Sequence, residues 1–166
     1  MRRIATAIAA AAATTVGTVA TVGAAEAPTP TEPAGVEHCV VHASGVDEDG
    51  VLIVSEPVCG SERLATSMLN SSAMSRSTTY TLGRHFSSTS YGGSSITITG
   101  SVPCGGGVWK PTGFWNNNIE SSIHYCGSSG TRFYDSSSCS GSVRTIFSST
   151  SSLGSMNNRA SCVRYG

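Results

Sequence analysis

Apolar and polar positions along this chain alternate in short runs and never settle into long helical stripes. Ile96-Thr97-Ile98-Thr99 reads as a strand with one buried face. From Tyr80 on, TTYTL, SSITITG, SSIHYC, TRFYD, SVRTIF and ASCVRY form β-prone runs separated by Ser/Gly turns. Many short strands at such spacing predict a sandwich or Greek-key arrangement. Upstream, Val36 to Ser55 predicts a hairpin, with Val40-Val41 and Val51-Leu52-Ile53-Val54 as its apolar runs and Asp47-Glu48-Asp49-Gly50 as its turn. Ser61 to Met74 is the best helix candidate, because Leu64, Met68 and Leu69 fall on one face and Ser61 can cap the start.

Composition agrees with a β-rich chain. Charged residues make up only 12%, and the polar positions are filled by Ser, Thr and Gly, of which Ser and Gly are poor in helix interiors. The start differs from the rest: Met1-Arg2-Arg3 leads into an uncharged Ala/Thr/Val stretch from Ile4 to Ala25. A basic segment followed by an apolar one predicts an export signal over residues 1–25, cleaved after Ala24 or, preferably, Ala25. A membrane anchor is the poorer reading, since Ala, Thr and Gly favour insertion far less than Leu and Ile. Residues 26–35 (EAPTPTEPAG) predict an extended Pro-rich linker.

The formal net charge is +0, so no global field draws in nucleic acid or a membrane surface. The charges are nevertheless segregated. Residues 36–76 are acidic, with Glu37, Asp47, Glu48, Asp49, Glu56 and Glu62 against Arg63 and Arg76. From residue 77 on, Arg84, Lys110, Arg132, Arg144, Arg159 and Arg164 face only Glu120 and Asp135. Either both surfaces are simply solvated, or the first segment docks on the second.

Six cysteines follow the export segment: Cys39, Cys59, Cys104, Cys126, Cys139 and Cys162. An even number in an exported chain predicts disulfides, and the spacings do not resemble a zinc ribbon or finger. Six cysteines allow about 15 pairings; sequence neighbours suggest Cys39 with Cys59, Cys104 with Cys126, and Cys139 with Cys162.

A weak duplication runs through the second part. Phe86 is followed by Tyr91 and Gly93 at the same intervals as Tyr134 is followed by Cys139 and Gly141, an aromatic-x4-bulky-x-Gly pattern. Each copy then reaches an Asn pair with hydroxyls: Asn117-Asn118-Ile119-Glu120-Ser121-Ser122 and Asn157-Asn158-Arg159-Ala160-Ser161-Cys162. These residues resemble the βγ-crystallin family, including its microbial members and the actinobacterial metalloproteinase inhibitors of the I36 type.

The resemblance covers residues 77–166. It implies an all-β, double Greek-key sandwich with a pseudo-twofold axis, preceded here by a small disulfide-tied hairpin and a short helix. It also implies calcium sites, because a tight loop of Asn carbonyls and hydroxyls supplies the hard oxygens that calcium takes. By resemblance, Asn117, Asn118 and Ser121 would form one set and Asn157, Asn158 and Ser161 the other. A start at Asn116 is the alternative register of the first set, and it places Ile119 opposite Ala160. The absence of Asp from both pairs weakens the expected affinity, and Cys162 replaces the last Ser. Residues 36–76 lie outside the resemblance and read as a pro-region, an extra subdomain, or a cover for a β-edge.

Catalytic constellations are missing. No G-x-S-x-G elbow occurs; His38 and His42 lie on a presumed strand, and His85 and His124 read as packing or surface residues. Glu120 and Asp135 read as solvated carboxylates, and Trp109, Phe114 and Trp115 as core and hairpin aromatics or a sugar- or protein-binding patch. The expectation is a secreted, monomeric, non-enzymatic binding protein. A proteinase-inhibitor-like role is implied by the resemblance, with an extracellular protease as partner and a loop within Gly100–Trp115 or Gly127–Cys139 as its contact. The alternatives are a calcium-stabilised extracellular structural or stress protein and an antimicrobial, killer-toxin-like protein.

Overall fold

Ile96-Thr97-Ile98-Thr99 shows how this chain uses its β-prone runs. In the computed structural model, which describes residues 35–67 and 78–166, this run forms the middle of a strand whose six residues are all buried. One face carries Ile96 and Ile98 into the core. The other is not open to solvent as the alternation predicts. Instead Ser95 and Thr99 meet His38 Nδ1 at 2.8 Å and His42 Nδ1 at 3.2 Å, and Thr99 Oγ1 donates to the Val41 carbonyl at 3.1 Å. Hydroxyls can be buried here because each finds a partner.

In chain order the strands are β1 (His38–Val46), β2 (Leu52–Val54), β3 (Val58–Gly60), β4 (Tyr80–Phe86), β5 (Ser95–Gly100), β6 (Gly107–Trp109), β7 (Ser121–His124), β8 (Thr131–Tyr134), β9 (Val143–Ile146) and β10 (Cys162–Tyr165). The expected helix is described over residues 62–67. Ser61 starts it, accepting the Leu64 N–H on its hydroxyl and the Ala65 N–H on its carbonyl. The rest of that helix candidate, the export signal and all but the end of the linker lie outside the described residues.

Two sheets result, one in the order β2-β1-β5-β4-β7 with β3 also on β1, the other in the order β6-β10-β8-β9. The two repeats exchange their third segments. β6, from the first repeat, pairs with β10 of the second. In return Thr150 of the second repeat bridges Ser122 on β7, through N–H···O bonds of 3.0 and 2.9 Å. The expected all-β double Greek key, preceded by a hairpin and a short helix, is the fold found.

The described part of the acidic segment joins the first sheet through β1. β1 runs parallel to β5 along six residue pairs, from His38 opposite Ser95 to Ala43 opposite Gly100. Val41 and Ala43 are 2% and 0% exposed. From β1 the turn at Asp47, whose carboxylate accepts the N–H groups of Asp49 and Val51, leads back to β2 of the same sheet, and at its end the chain touches the other sheet. There Val51 bridges Val108. β1 thus covers the edge of β5. An ion pair across it, Arg84 with Glu62 at 3.0 Å, joins the acidic and basic parts.

The core lies between the sheets and holds Val41, Leu82, Ile96, Ile98, Trp109, Phe133, Ile119, Leu153, Val163 and Tyr165. Three disulfides join Cys39 to Cys59, Cys104 to Cys126, and Cys139 to Cys162. Together they point to an oxidising compartment.

Candidate functional site

Both aromatic-x4-bulky-x-Gly segments fold back in the same way. Ser87 N–H donates to the Ser94 carbonyl and Ser94 N–H to the Ser87 hydroxyl; Asp135 and Ser142 repeat both bonds in the second copy. Gly93 and Gly141 sit at φ +68° and +82°. A Cβ there would lie 2.5 Å from Ser87 Oγ or from Asp135 Oδ1, so glycine is required twice over, for φ and for space.

The Asn pairs close the two corners between the repeats. Each follows a short 3-10 turn, Gly113–Trp115 or Gly154–Met156. The left-handed residue is Asn117 in the first and Asn158 in the second, at φ 57° and 55°. Asn117 N–H donates to the Ala160 carbonyl and Asn158 N–H to the Ile119 carbonyl, both at 3.0 Å, the reciprocal bonds of a pseudo-twofold.

These bonds select the register that starts at Asn116. The first set therefore moves one residue from Asn117-Asn118-Ser121, and Glu120 takes the place that Ser161 holds in the second. Nor does either corner gather the residues of one loop. Ser161 Oγ donates to Asn117 Oδ1 at 2.8 Å, and Asn158 Nδ2 to Glu120 Oε1 at 2.7 Å, so each corner is built from both repeats. Ser121 turns to the hairpin instead: its hydroxyl donates to the Ser88 carbonyl at 2.6 Å and accepts the Tyr91 N–H at 3.0 Å. Asn157 Oδ1 accepts from Ser152 at 3.3 Å. Asn118 enters neither corner pair.

Arg159 and Asp135 were missed as corner residues in the sequence. They face a hollow of about 300 Å³ shared with Asn117 and Asn158. Arg159 Nη2 lies 2.9 Å from Asp135 Oδ2. Of the donors that the resemblance assigns to calcium, Asn117 and Ser161 are engaged with each other, Asn158 with Glu120, Asn157 with Ser152 and Ser121 with the backbone of its hairpin, which does not fit a resident divalent ion. Among the described residues one other group of metal-ligand type converges, Glu37 with Cys39 and Cys59 within 4.8 Å. Those sulfurs form a disulfide and offer no thiolate.

His85 is a strongly perturbed titratable group. Its ring shares hydrogen bonds with Ser122 Oγ at 3.0 Å and Tyr165 Oη at 2.8 Å, and it stacks on Trp109 at 5.6 Å. Burial pushes its pKa down to about 3 and holds the Tyr165 phenol above its usual value. A Ser/His pair in an open cleft suits nucleophilic chemistry. Here His85 and Ser122 are 0% and 1% exposed, and the trio serves instead as a polar bolt between the sheets.

The two candidate loops differ sharply. The middle of Gly127–Cys139 is β8, paired on both sides by β10 and β9. In Gly100–Trp115 the part from 101 to 106 stands out from the sheets. Val102 is 42% exposed. The loop is anchored by Cys104–Cys126, by Ser101 N–H and Oγ on the Ala43 and Ser44 carbonyls, and by Gly106 N–H on the Tyr165 carbonyl at 2.7 Å. Beyond it Trp109 and Trp115 are buried, and only Phe114 projects, edge-on to Trp115.

No protein-family model matches the chain, and no curated protein does either. Among solved structures it is similar to the N-terminal domain of protein S, at 19% identity, with 49% of this chain and 91% of that one covered and a TM-score of 0.38. A double mutant of a βγ-crystallin domain from Clostridium beijerinckii matches at 20% identity over 49% and 92% of the two chains, with a TM-score of 0.40. A βγ-crystallin from an archaeon matches at 20% identity over 52% and 99%, with a TM-score of 0.39.

Proposed function

We propose that this chain is an exported binding protein of proteinase-inhibitor type, which offers the loop of residues 101–106 to the cleft of an extracellular protease. The observation that carries the reading is the anchoring of that loop: a disulfide at Cys104 and backbone bonds at Ser101 and Gly106 hold it, while Val102 and Pro103 remain exposed. A segment ordered before binding loses less entropy on docking, which is the main physical advantage of a rigid inhibitor. Binding also suits the chain better than catalysis, because the perturbed His85 is sealed from substrate. Three disulfides support work outside the cell.

The test is incubation of the purified mature protein with metalloproteases and serine proteases, with and without calcium. Inhibition at equimolar protein, lost in Val102→Asp, supports the role. Undiminished protease activity across the panel retires it and leaves the fold untouched. A calcium-stabilised structural protein is the competing reading, and it requires a melting temperature that climbs with calcium.

A further inference from the structure

The two corners related by the pseudo-twofold are chemically unlike. Beside Ser161 and Asn117 stand Asp135 and Arg159. At the equivalent places of the other repeat are Ser87 and Asn118, both neutral. The first corner therefore holds a guanidinium beside its carboxylate, where the second holds the carboxylate of Glu120 and, at the place of Arg159, the neutral Asn118.

We infer that Arg159 is a resident cation, which closes the Asn117–Ser161 corner to calcium and leaves the fold independent of the ion. The side-chain oxygens of Asn117, Ser161 and Asp135 there are all engaged. Asn117 Oδ1 accepts the Ser161 hydroxyl at 2.8 Å. Asp135 Oδ1 accepts the Ser142 N–H at 2.9 Å, and its Oδ2 faces Arg159 Nη2 at 2.9 Å. Arg159 is steadied by a second bond, Nη1 to the Ser155 carbonyl at 3.4 Å. Calcium affinity rises with the formal charge of its ligands, and the one carboxylate lining this hollow is neutralised.

The ion pair is not itself a strong clamp. Arg159 is 52% exposed on its side chain, and such pairs contribute little to stability. Mechanical closure falls to the adjacent Cys139–Cys162 disulfide, which ties the second hairpin to β10 covalently. The cation's part is electrostatic: a divalent ion entering the hollow would meet a fixed positive charge. In the opposite corner Asn158 turns an N–H toward Glu120, and an N–H cannot ligate a cation.

The test compares the wild-type chain with Arg159→Asn, which installs the residue found at the equivalent place, and with Arg159→Lys, which keeps the charge. Each is titrated with calcium by calorimetry and melted in calcium and in EDTA, with near-UV circular dichroism to verify packing. The expected result is no heat and no shift for wild type and Arg159→Lys. For Arg159→Asn it is measurable binding and a rise in Tm of a few degrees. A wild-type Tm that rises with calcium overturns the inference. So does an Arg159→Asn protein as silent as wild type, or an Arg159→Lys protein that binds. The inhibitory role is a separate matter, since the loop of residues 101–106 supplies no residue to this corner.

Discussion

Ser121 and Cys162 stand at equivalent places in the two repeats, and each fastens the folded hairpin of its own repeat to the strand on which it sits. Ser121 does so through its hydroxyl, between the Ser88 carbonyl and the Tyr91 N–H. Cys162 does so through a disulfide to Cys139, the counterpart of Tyr91. One architecture thus uses a buried hydroxyl in one copy and a covalent bond in the other.

The two fastenings should fail differently. Replacing Cys139 and Cys162 together by Ser is expected to cost about 2–4 kcal/mol, by releasing the unfolded chain from a closed loop. Ser121→Ala should cost about 1 kcal/mol, because it removes the hydroxyl that the part-buried Tyr91 N–H and the Ser88 carbonyl share. Urea unfolding with and without reductant separates them: reductant should lower the midpoint of the Ser121→Ala protein, which has three bridges to lose, more than that of the double Ser variant, which has two.

Gly93→Ala and Gly141→Ala should each destabilise by about 2 kcal/mol or more. Both residues adopt left-handed φ, and the new Cβ would press on Ser87 or Asp135. Chemical denaturation gives the value. A loss of only a few tenths would mean that the hairpins are not folded as described.

The buried imidazole of His85 predicts acid lability. Its pKa is about 3 when folded and about 6.5 when unfolded. The neutral ring is favoured by the fold, so stability is full above about pH 6.5 and falls as pH drops toward 3. The loss from this group is on the order of 3 kcal/mol by pH 4. His85→Phe should be less stable at neutral pH, since Ser122 and Tyr165 lose a partner. Its stability should nonetheless change less between pH 7 and 4. Equal pH slopes in both proteins would exclude His85 as the source.

A chain starting at Thr78 should not behave as a soluble monomer. Without β1, the edge of β5 and the side chains of Ile96 and Ile98 lose their cover, and an open apolar edge invites association. Size-exclusion chromatography and a denaturant transition check this. A monomeric, cooperatively folding product would show that β1 is dispensable.

What the sequence alone determined is local. The aromatic-x4-bulky-x-Gly pattern marks both folded hairpins because the requirement for positive φ at Gly93 and Gly141 is met within a few residues. The same holds for the Asp47–Gly50 turn and the helix start at Ser61, whose hydrogen bonds close over short stretches of chain. Tertiary structure decided what depends on distant partners: the parallel seat of β1 on β5, the exchange that sends Gly107–Trp109 to β10 and Thr150 to Ser122, and the crossing of Asn117 to Ser161. Hydrophobic periodicity carries no label for which strand a run will join. The Asn register turned on one residue, because only the reciprocal bonds at Asn117 and Asn158 distinguish a start at Asn116 from one at Asn117. His85 reads like any strand histidine until two sheets close over it and its ring must find Ser122 on one and Tyr165 on the other.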